Sequence, residues 1–252
     1  MLTYIRMIKF SVVIPVYNEE GSILPLYSSL KNAMDAMKLE PYEVIFVNDG
    51  SQDASFERMN GIDSKPADLV IVDLAGHSGK SSALQAGFDA ARGGVIITLD
   101  ADLQNDPADI PKLLDKLNEG YDAVCGWRRK RNDPPIRAVT SWAARFLRQA
   151  VTGDRIRDAA CSLMVFKRTV LKDIYLWGGM HRFFKLILCR LGYKVVEVEV
   201  RHHPRRFGRS KYGILDRLLE GSADLMRFLV FGPRKLMKRE GASYQIREVI
   251  KR

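Results

Sequence analysis

Cysteine is scarce in this chain. Its three residues, Cys125, Cys161 and Cys189, lie far apart and none forms a Cys-x-x-Cys pair. That spacing argues against a disulfide framework or a zinc site and fits a reducing compartment. Long apolar runs are missing too: nowhere do eighteen apolar residues follow one another, so no spanning helix is expected. The opening Met1-Leu2-Thr3-Tyr4-Ile5-Arg6 holds no long apolar core, so no secretory signal is expected. Histidine is rare, and His181, His202 and His203 come with no carboxylate or cysteine at ligand spacing, which reads as surface or loop positions rather than metal ligands. The three tryptophans, Trp127, Trp142 and Trp177, fit a membrane interface or core packing equally well. Repeats and low-complexity segments are absent.

What the chain has is enough apolar material for a core and an uneven charge. Its 252 residues are 46% hydrophobic, which suits one large domain, or one domain with an appended segment. The net charge of +10 hides a division: residues 1–127 carry 10 Lys+Arg against 19 Asp+Glu, while residues 128–252 carry 30 against 11. A basic half beside an acidic half points to a polyanion or an anionic membrane surface as partner. No nucleic-acid-binding motif occurs among the basic residues, so nucleic acid is not the expected partner.

Apolar runs and amphipathic stretches alternate through the first half. Strands are expected at 10–16, 42–47, 69–72, 95–99 and 123–125, with helices from about 22 to 37, 52 to 59, 79 to 91 and 109 to 117. Such alternation means an α/β fold, a mostly parallel sheet flanked by helices, with the strand C-terminal ends on one edge. After Trp127 come a charged, proline-broken loop, a helix over about 137–151, a strand over 195–200 and a basic loop over 201–213. From Ile214 to Met237 apolar residues recur at helical spacing, with a break at Gly232-Pro233. The expected organisation is a domain over 1–210, then amphipathic interface helices and a basic tail over 211–252.

The densest chemical signal follows the run Val95-Ile96-Ile97-Thr98-Leu99. There Asp100 and Asp102 stand at i and i+2, with Gln104 beyond. Two acids so spaced at a strand end can turn toward one point, and hard oxygens suit Mg²⁺ or Mn²⁺ carrying a diphosphate. A lone Asp-x-Asp is more often an exposed turn. Three further expected strand ends carry polar segments: Pro15-Val16-Tyr17-Asn18-Glu19-Glu20, Asn48-Asp49-Gly50-Ser51 and Gly76-His77-Ser78-Gly79-Lys80. Each alone is an ordinary turn or helix start.

In this order the four segments resemble the family 2 glycosyltransferases of the GT-A fold. The arrangement from Val12 to Gly213 is similar to the polyprenyl-phosphate sugar transferases, which include dolichol-phosphate mannose synthases and bacterial undecaprenyl-phosphate glycosyltransferases. The resemblance implies donor binding by Pro15, Tyr17, Asn18, Glu19, Asp49, Gly79, Lys80, Asp100 and Ala101, and metal binding by Asp100, Asp102 and Gln104. It assigns the acceptor phosphate to Arg128, Arg137, Ser141, Arg206, Arg209 and Lys211. Asp102, Asp158 and Arg209 are the implied catalytic residues, with Asp158 orienting sugar hydroxyls or an arginine, a base role remaining open. Where relatives carry Arg-Asn before Gly79-Lys80, this chain has Gly76-His77.

The implied reaction moves a sugar, with inversion, from GDP-mannose or a UDP-hexose to dolichyl or undecaprenyl phosphate. Many relatives continue into spanning helices. Here the expectation is a cytoplasmic protein peripheral on the inner face of the membrane, or one that depends on a separate membrane protein partner. The stretch from Ile214 reads either as a core helix or as an interfacial one, with Arg217, Arg227, Arg234, Lys235, Lys238 and Arg239 toward anionic lipid. Two alternatives compete. One is a family 2 enzyme acting on a soluble or polysaccharide acceptor, against which stands the lack of a Gln-x-x-Arg-Trp segment. The other is a non-catalytic membrane-associated GT-A protein, against which stand the intact Asp100, Asp102 and Gln104.

Overall fold

In a computed structural model of the chain, residues 8–38, 41–63, 68–129, 148–149, 153–176, 178–207, 224, 226, 228, 230 and 244–252 are described. Their strands are β1 (Phe10–Val16), β2 (Tyr42–Asn48), β3 (Asp68–Leu74), β4 (Val95–Thr98), β5 (Ala123–Trp127), β6 (Met164–Lys167), β7 (Val195–Glu199) and β8 (Ile246–Lys251). The helices are α1 (Ile23–Ala36), α2 (Ser55–Asn60), α3 (Lys80–Ala90), α4 (Ile110–Asn118) and α5 (Phe184–Arg190).

The strands form one sheet in the order β7-β5-β6-β4-β1-β2-β3-β8. β1, β2, β3 and β4 are mutually parallel, and β5 and β7 are parallel to each other. β6 is antiparallel to both β4 and β5, which leaves β5 and β7 running with β4; β8 is antiparallel to β3. Six strands therefore end on one edge, and β6 begins there. The chain builds outward from β1 to β3 and then returns to place β4 on the other side of β1. That reversal opens a crevice between the loops after β1 and β4, the place where open α/β sheets bind ligands.

Each central strand is buried on both faces because its residues are β-branched or aromatic and serve two cores in alternation. Val12, Ile14, Val44, Phe46 and Ile97 point to one face, under α1 and α4. Val13, Ile45, Val47 and Ile96 point to the other, under α3 and α5. Gly87 lets α3 lie close to the sheet, since a Cβ there would stand 2.3 Å from Cγ1 of Val13 and 3.1 Å from Cγ2 of Val47.

Two strands escaped the sequence reading. β6 is only four residues, too short to display a period. β8 has an exposed face on a sheet edge, so charged residues interrupt its apolar ones, and it lies within the stretch read as a basic tail. α2 starts at Ser55 rather than Gln52, because residues 51–54 bond the β1 loop instead: Gln52 N donates to Oδ1 of Asn18 at 2.7 Å and Ala54 N to Oε2 of Glu20 at 3.0 Å. The helix expected over 137–151 lies outside the described residues except for 148–149, which are helical. The stretch 214–237 lies outside them except for Asp224, Met226, Phe228 and Val230, also helical.

Gly87→Ala gains about 1 kcal/mol of helix propensity but drives a methyl into a stiff β-branched neighbour. It is expected to lower stability by about 1–3 kcal/mol net, measured by urea unfolding.

Candidate active site

The loop after β1 is shaped by its own polar side chains and those of the β2 loop. Asn18 adopts φ +52°, a conformation asparagine tolerates, and its backbone N–H donates to Oγ of Ser51 at 3.0 Å. Glu19 N donates to Oγ of Ser55 at 2.9 Å. Pro15 sits within β1 opposite Val47, so its missing N–H falls near the strand end.

Asp49 ties the third loop to the second. Buried at 3% exposure, its carboxylate accepts from Ser78 N at 2.7 Å and Gly79 N at 3.0 Å, and His77 Nδ1 lies 3.0 Å from Oδ2. Burial raises the Asp49 pKa, against the lowering effect of those amides and His77. Gly50 (φ +68°) permits the close approach, since a Cβ there would lie 2.5 Å from His77 N. The ring of His77 stacks on Tyr17 with centroids 4.0 Å apart and planes 22° from parallel. The Gly76-His77 departure thus leaves the third loop joined to both others through a histidine.

The acidic loop after β4 turns through Leu103 at φ +60°, a left-handed conformation that costs a non-glycine residue about 1 kcal/mol. Asp100 meets Lys80 Nζ at 2.5 Å, at the first residue of α3. Burial opposes its ionisation, but Lys80 and a hydrogen bond from Ser162 prevail and lower its pKa. Ser162 Oγ also accepts from Asn105 Nδ2 at 2.8 Å, so the entry to β6 braces the acidic loop. Asp102 is 7% exposed, and burial together with the charge of Asp100 raises its pKa, against the pull of Arg205. Ala101 is buried between the two acids. Gln104 N donates to Oδ1 of Asp102 at 3.2 Å, and its side-chain amide makes a long 3.5 Å contact with the His203 carbonyl.

A second ion pair stands at the ends of β5 and β7. Arg128 grips Asp158 through Nε at 2.8 Å and Nη2 at 3.0 Å, with Arg128 N on the same carboxylate at 3.2 Å. Burial disfavours the guanidinium, but the pairing with Asp158 outweighs it and raises the Arg128 pKa. The buried Lys185 donates to the backbone carbonyls of Asp158 at 2.5 Å and Gly126 at 3.1 Å, fixing the pair from below. Glu197 of β7 accepts from Asp158 N at 3.0 Å.

The edge therefore brings together Pro15, Tyr17, Asn18, Glu19, Asp49, Gly79, Lys80, Asp100, Ala101, Asp102 and Gln104. Arg128 and Asp158 pair on the same edge, and Arg206 is exposed on the segment after β7. Arg137, Ser141, Arg209 and Lys211 lie outside the described residues.

Two residues have roles that the sequence reading did not assign. Arg205 Nη2 lies 2.8 Å from Oδ2 of Asp102 and its Nη1 3.1 Å from Oε1 of Glu19, spanning the crevice. In the sequence it stands at the start of a basic stretch that resembles the closing loop of the polyprenyl-phosphate sugar transferases, with nothing to set it apart from Arg206. His181 is packed rather than superficial: Ser81 Oγ lies 2.8 Å from its Nδ1 and accepts from its backbone N–H at 3.1 Å. Burial, with Lys80 and Arg182 nearby, lowers its pKa from 6.5 to about 3.

A histidine kept neutral by the fold contributes stability above its unfolded pKa, and that stability is lost as pH falls. Unfolding midpoints should drop between about pH 6.5 and 3, and His181→Gln should flatten that limb in a pH series of urea titrations.

The Glycosyl transferase family 2 model matches residues 11–175. A dodecaprenyl-phosphate galacturonate synthase from Rhizobium johnstonii is 36% identical over 232 residues, covering 90% of this chain and 68% of the relative. An undecaprenyl-phosphate 4-deoxy-4-formamido-L-arabinose transferase from Klebsiella pneumoniae strain 342 is 36% identical over 238 residues, covering 94% and 72%. Among solved structures, glucosyl-3-phosphoglycerate synthase from Mycobacterium tuberculosis in complex with Mg²⁺ and UDP superposes with a TM-score of 0.66 at 22% identity, covering 90% of this chain and 79% of that one. The family model spans the chain from β1 to β6, with the acidic loop and the Arg128–Asp158 pair inside it, and the chain belongs to glycosyl transferase family 2.

Proposed function

We propose that the protein transfers a sugar, with inversion, from a nucleoside diphosphate donor to a polyprenyl phosphate at a membrane surface. The observation that carries this reading is the shared edge, on which two adjacent carboxylates face an arginine-rich segment across one crevice. The naming of the similar proteins as transferases acting on dodecaprenyl and undecaprenyl phosphate supports the acceptor class.

The residues present fit a divalent metal. Asp100 and Asp102 offer hard oxygens close enough for one charge to perturb the other. Among the described residues no group of three or more His, Cys, Asp or Glu side chains gathers as a metal site. A two-carboxylate site leaves coordination positions for diphosphate oxygens and water, which is how Mg²⁺ sits on nucleotides. Asp100, Asp102 and Gln104 would hold Mg²⁺ or Mn²⁺, which when bound supplies charge neutralisation for the leaving diphosphate.

Tyr17, Asn18, Glu19 and Asp49 line the base and ribose end, while Lys80 stands by the diphosphate at the start of α3. The acceptor needs no general base, because a phosphate monoester has a second pKa of about 6 and is largely dianionic at neutral pH. Asp158 then acts by orienting Arg128 rather than by taking a proton, and Arg128 with Arg206 presents planar donors to phosphate oxygens. Arg137, Ser141, Arg209 and Lys211 complete the acceptor site in this reading. Catalysis rests on alignment and electrostatic stabilisation.

In this reading residues 1–210 are the transferase domain and 211–252 the interface segment, from which β8 returns to pair with β3 at the edge of the domain's sheet. No helix among the described residues is long and apolar enough to cross a membrane. On the interface segment Phe228 stacks on Phe183 at 4.9 Å, while Met226 and Val230, one helical turn apart, are 64% and 69% exposed. Two apolar side chains turned outward, in a stretch whose sequence is rich in basic residues, suit an anionic membrane surface on the cytoplasmic side.

The test is a panel of GDP- and UDP-sugars with Mn²⁺ or Mg²⁺ and undecaprenyl or dolichyl phosphate, the lipid product being read by mass. Labelled polyprenyl phosphate is expected; labelling of a soluble glycan alone would overturn the acceptor assignment. Asp102→Asn is expected to lower kcat by about 10²–10³-fold. With Asp158 intact, the pH profile of kcat/KM should rise with acceptor ionisation near pH 6.

A further inference from the structure

The segment after β7 is fastened along the acidic loop by paired bonds. Arg201 N donates to Oδ2 of Asp109 at 2.6 Å, His202 bridges Asn105 in antiparallel register, and His203 N donates to the Gln104 carbonyl at 2.9 Å. Arg201 Nη1 and His203 Nε2 both reach Asp106, at 3.0 and 3.3 Å. This strap crosses the crevice, and Phe207 rests on Gly21 of the opposite loop, where a Cβ would lie 2.9 Å from its ring. Arg205 stands between these anchors and forks to Asp102 on one wall and Glu19 on the other. The side chains of both acids are 9% exposed, against 27% for the arginine side chain.

We propose that Arg205 is a resident counter-cation of the metal-site carboxylate, a positioning residue that clasps the two crevice walls until a divalent cation and nucleoside diphosphate displace it. The inference rests on the metal assignment made under the proposed function and adds the step that links donor loading to strap release. A divalent ion on Asp102 and a guanidinium 2.8 Å from the same carboxylate repel each other strongly in a partly buried site, so one leaves when the other arrives. The fork geometry matters, because a planar guanidinium can satisfy two carboxylates at once, whereas an ammonium offers a single point charge. Once displaced, Arg205 is a planar donor at the crevice mouth, suited to phosphate oxygens.

The experiment is a Mn²⁺ titration of the full chain, following free Mn²⁺ by electron paramagnetic resonance without nucleotide. Arg205→Gln is expected to bind Mn²⁺ more tightly than the parent, on the order of tenfold. Arg205→Lys, which keeps the charge but can no longer fork to both carboxylates, should tighten binding by a smaller factor and serves if the glutamine variant does not fold. A second readout is trypsin cleavage after Arg206: Mn²⁺ with UDP should accelerate it in the parent, and Arg205→Gln should be cut as fast without them. Equal or weaker Mn²⁺ affinity in both variants, with the parent still binding Mn²⁺, would overturn the clasp alone. Absence of Mn²⁺ binding in all three proteins, with or without UDP, would overturn the metal assignment and the clasp together.

Discussion

Two carboxylates held side by side in a half-buried crevice set the terms for everything around them. Burial raises the Asp102 pKa, and the neighbouring charge of Asp100 raises it further. The fold answers with cations from opposite directions, Lys80 from the start of α3 and Arg205 from the strap after β7. Such an arrangement is costly in isolation, because charges brought out of water are only partly compensated by their partners. It persists because the parallel sheet fixes the β4 loop between the β1 loop and the entry to β6, leaving the acids nowhere else to go.

The same logic extends outward. Asp49 spends its carboxylate on the amides of Ser78 and Gly79, which sets the start of α3 and so the position of Lys80. Lys185, buried beneath the sheet edge, holds the backbone of Asp158, and Asp158 holds Arg128. Charged residues at this edge are therefore arranged in relays: an inner charged group fixes a backbone, and that backbone sets the position of a cation, directly for Lys80 and through the Asp158 carboxylate for Arg128. Relays of this kind suit a reaction that needs alignment of two anionic substrates more than proton transfer.

Much of this was legible from residues alone. The runs at β1, β2 and β4 are dense in Val and Ile, and a parallel strand buried on both faces must read as an unbroken apolar run. The polar segments closing them meet on one edge, because strand ends in such sheets converge. Less visible were features that depend on long-range partners. β6 carries four residues whose identity as a strand comes only from the neighbours that flank it. Arg205 stands in a basic stretch where every arginine looks alike, and its distinction is the pair of acids, 186 and 103 residues away, that it meets. His181 reads as a surface histidine until the α3 start, with Ser81, closes over it. Sequence period reports on faces; it carries no information on which cation meets which anion.

In the proposed reading Asp100 and Asp102 form one divalent-cation site, and Lys80 and Arg205 neutralise it when no cation is bound. The most direct measurement is anomalous diffraction at the manganese edge from crystals grown with Mn²⁺ and a nucleoside diphosphate. A single strong peak is expected in contact with Asp102 and the diphosphate, with the Arg205 guanidinium withdrawn from that carboxylate. A peak remote from both aspartates, or bound diphosphate with the Arg205–Asp102 pair still intact, would contradict it.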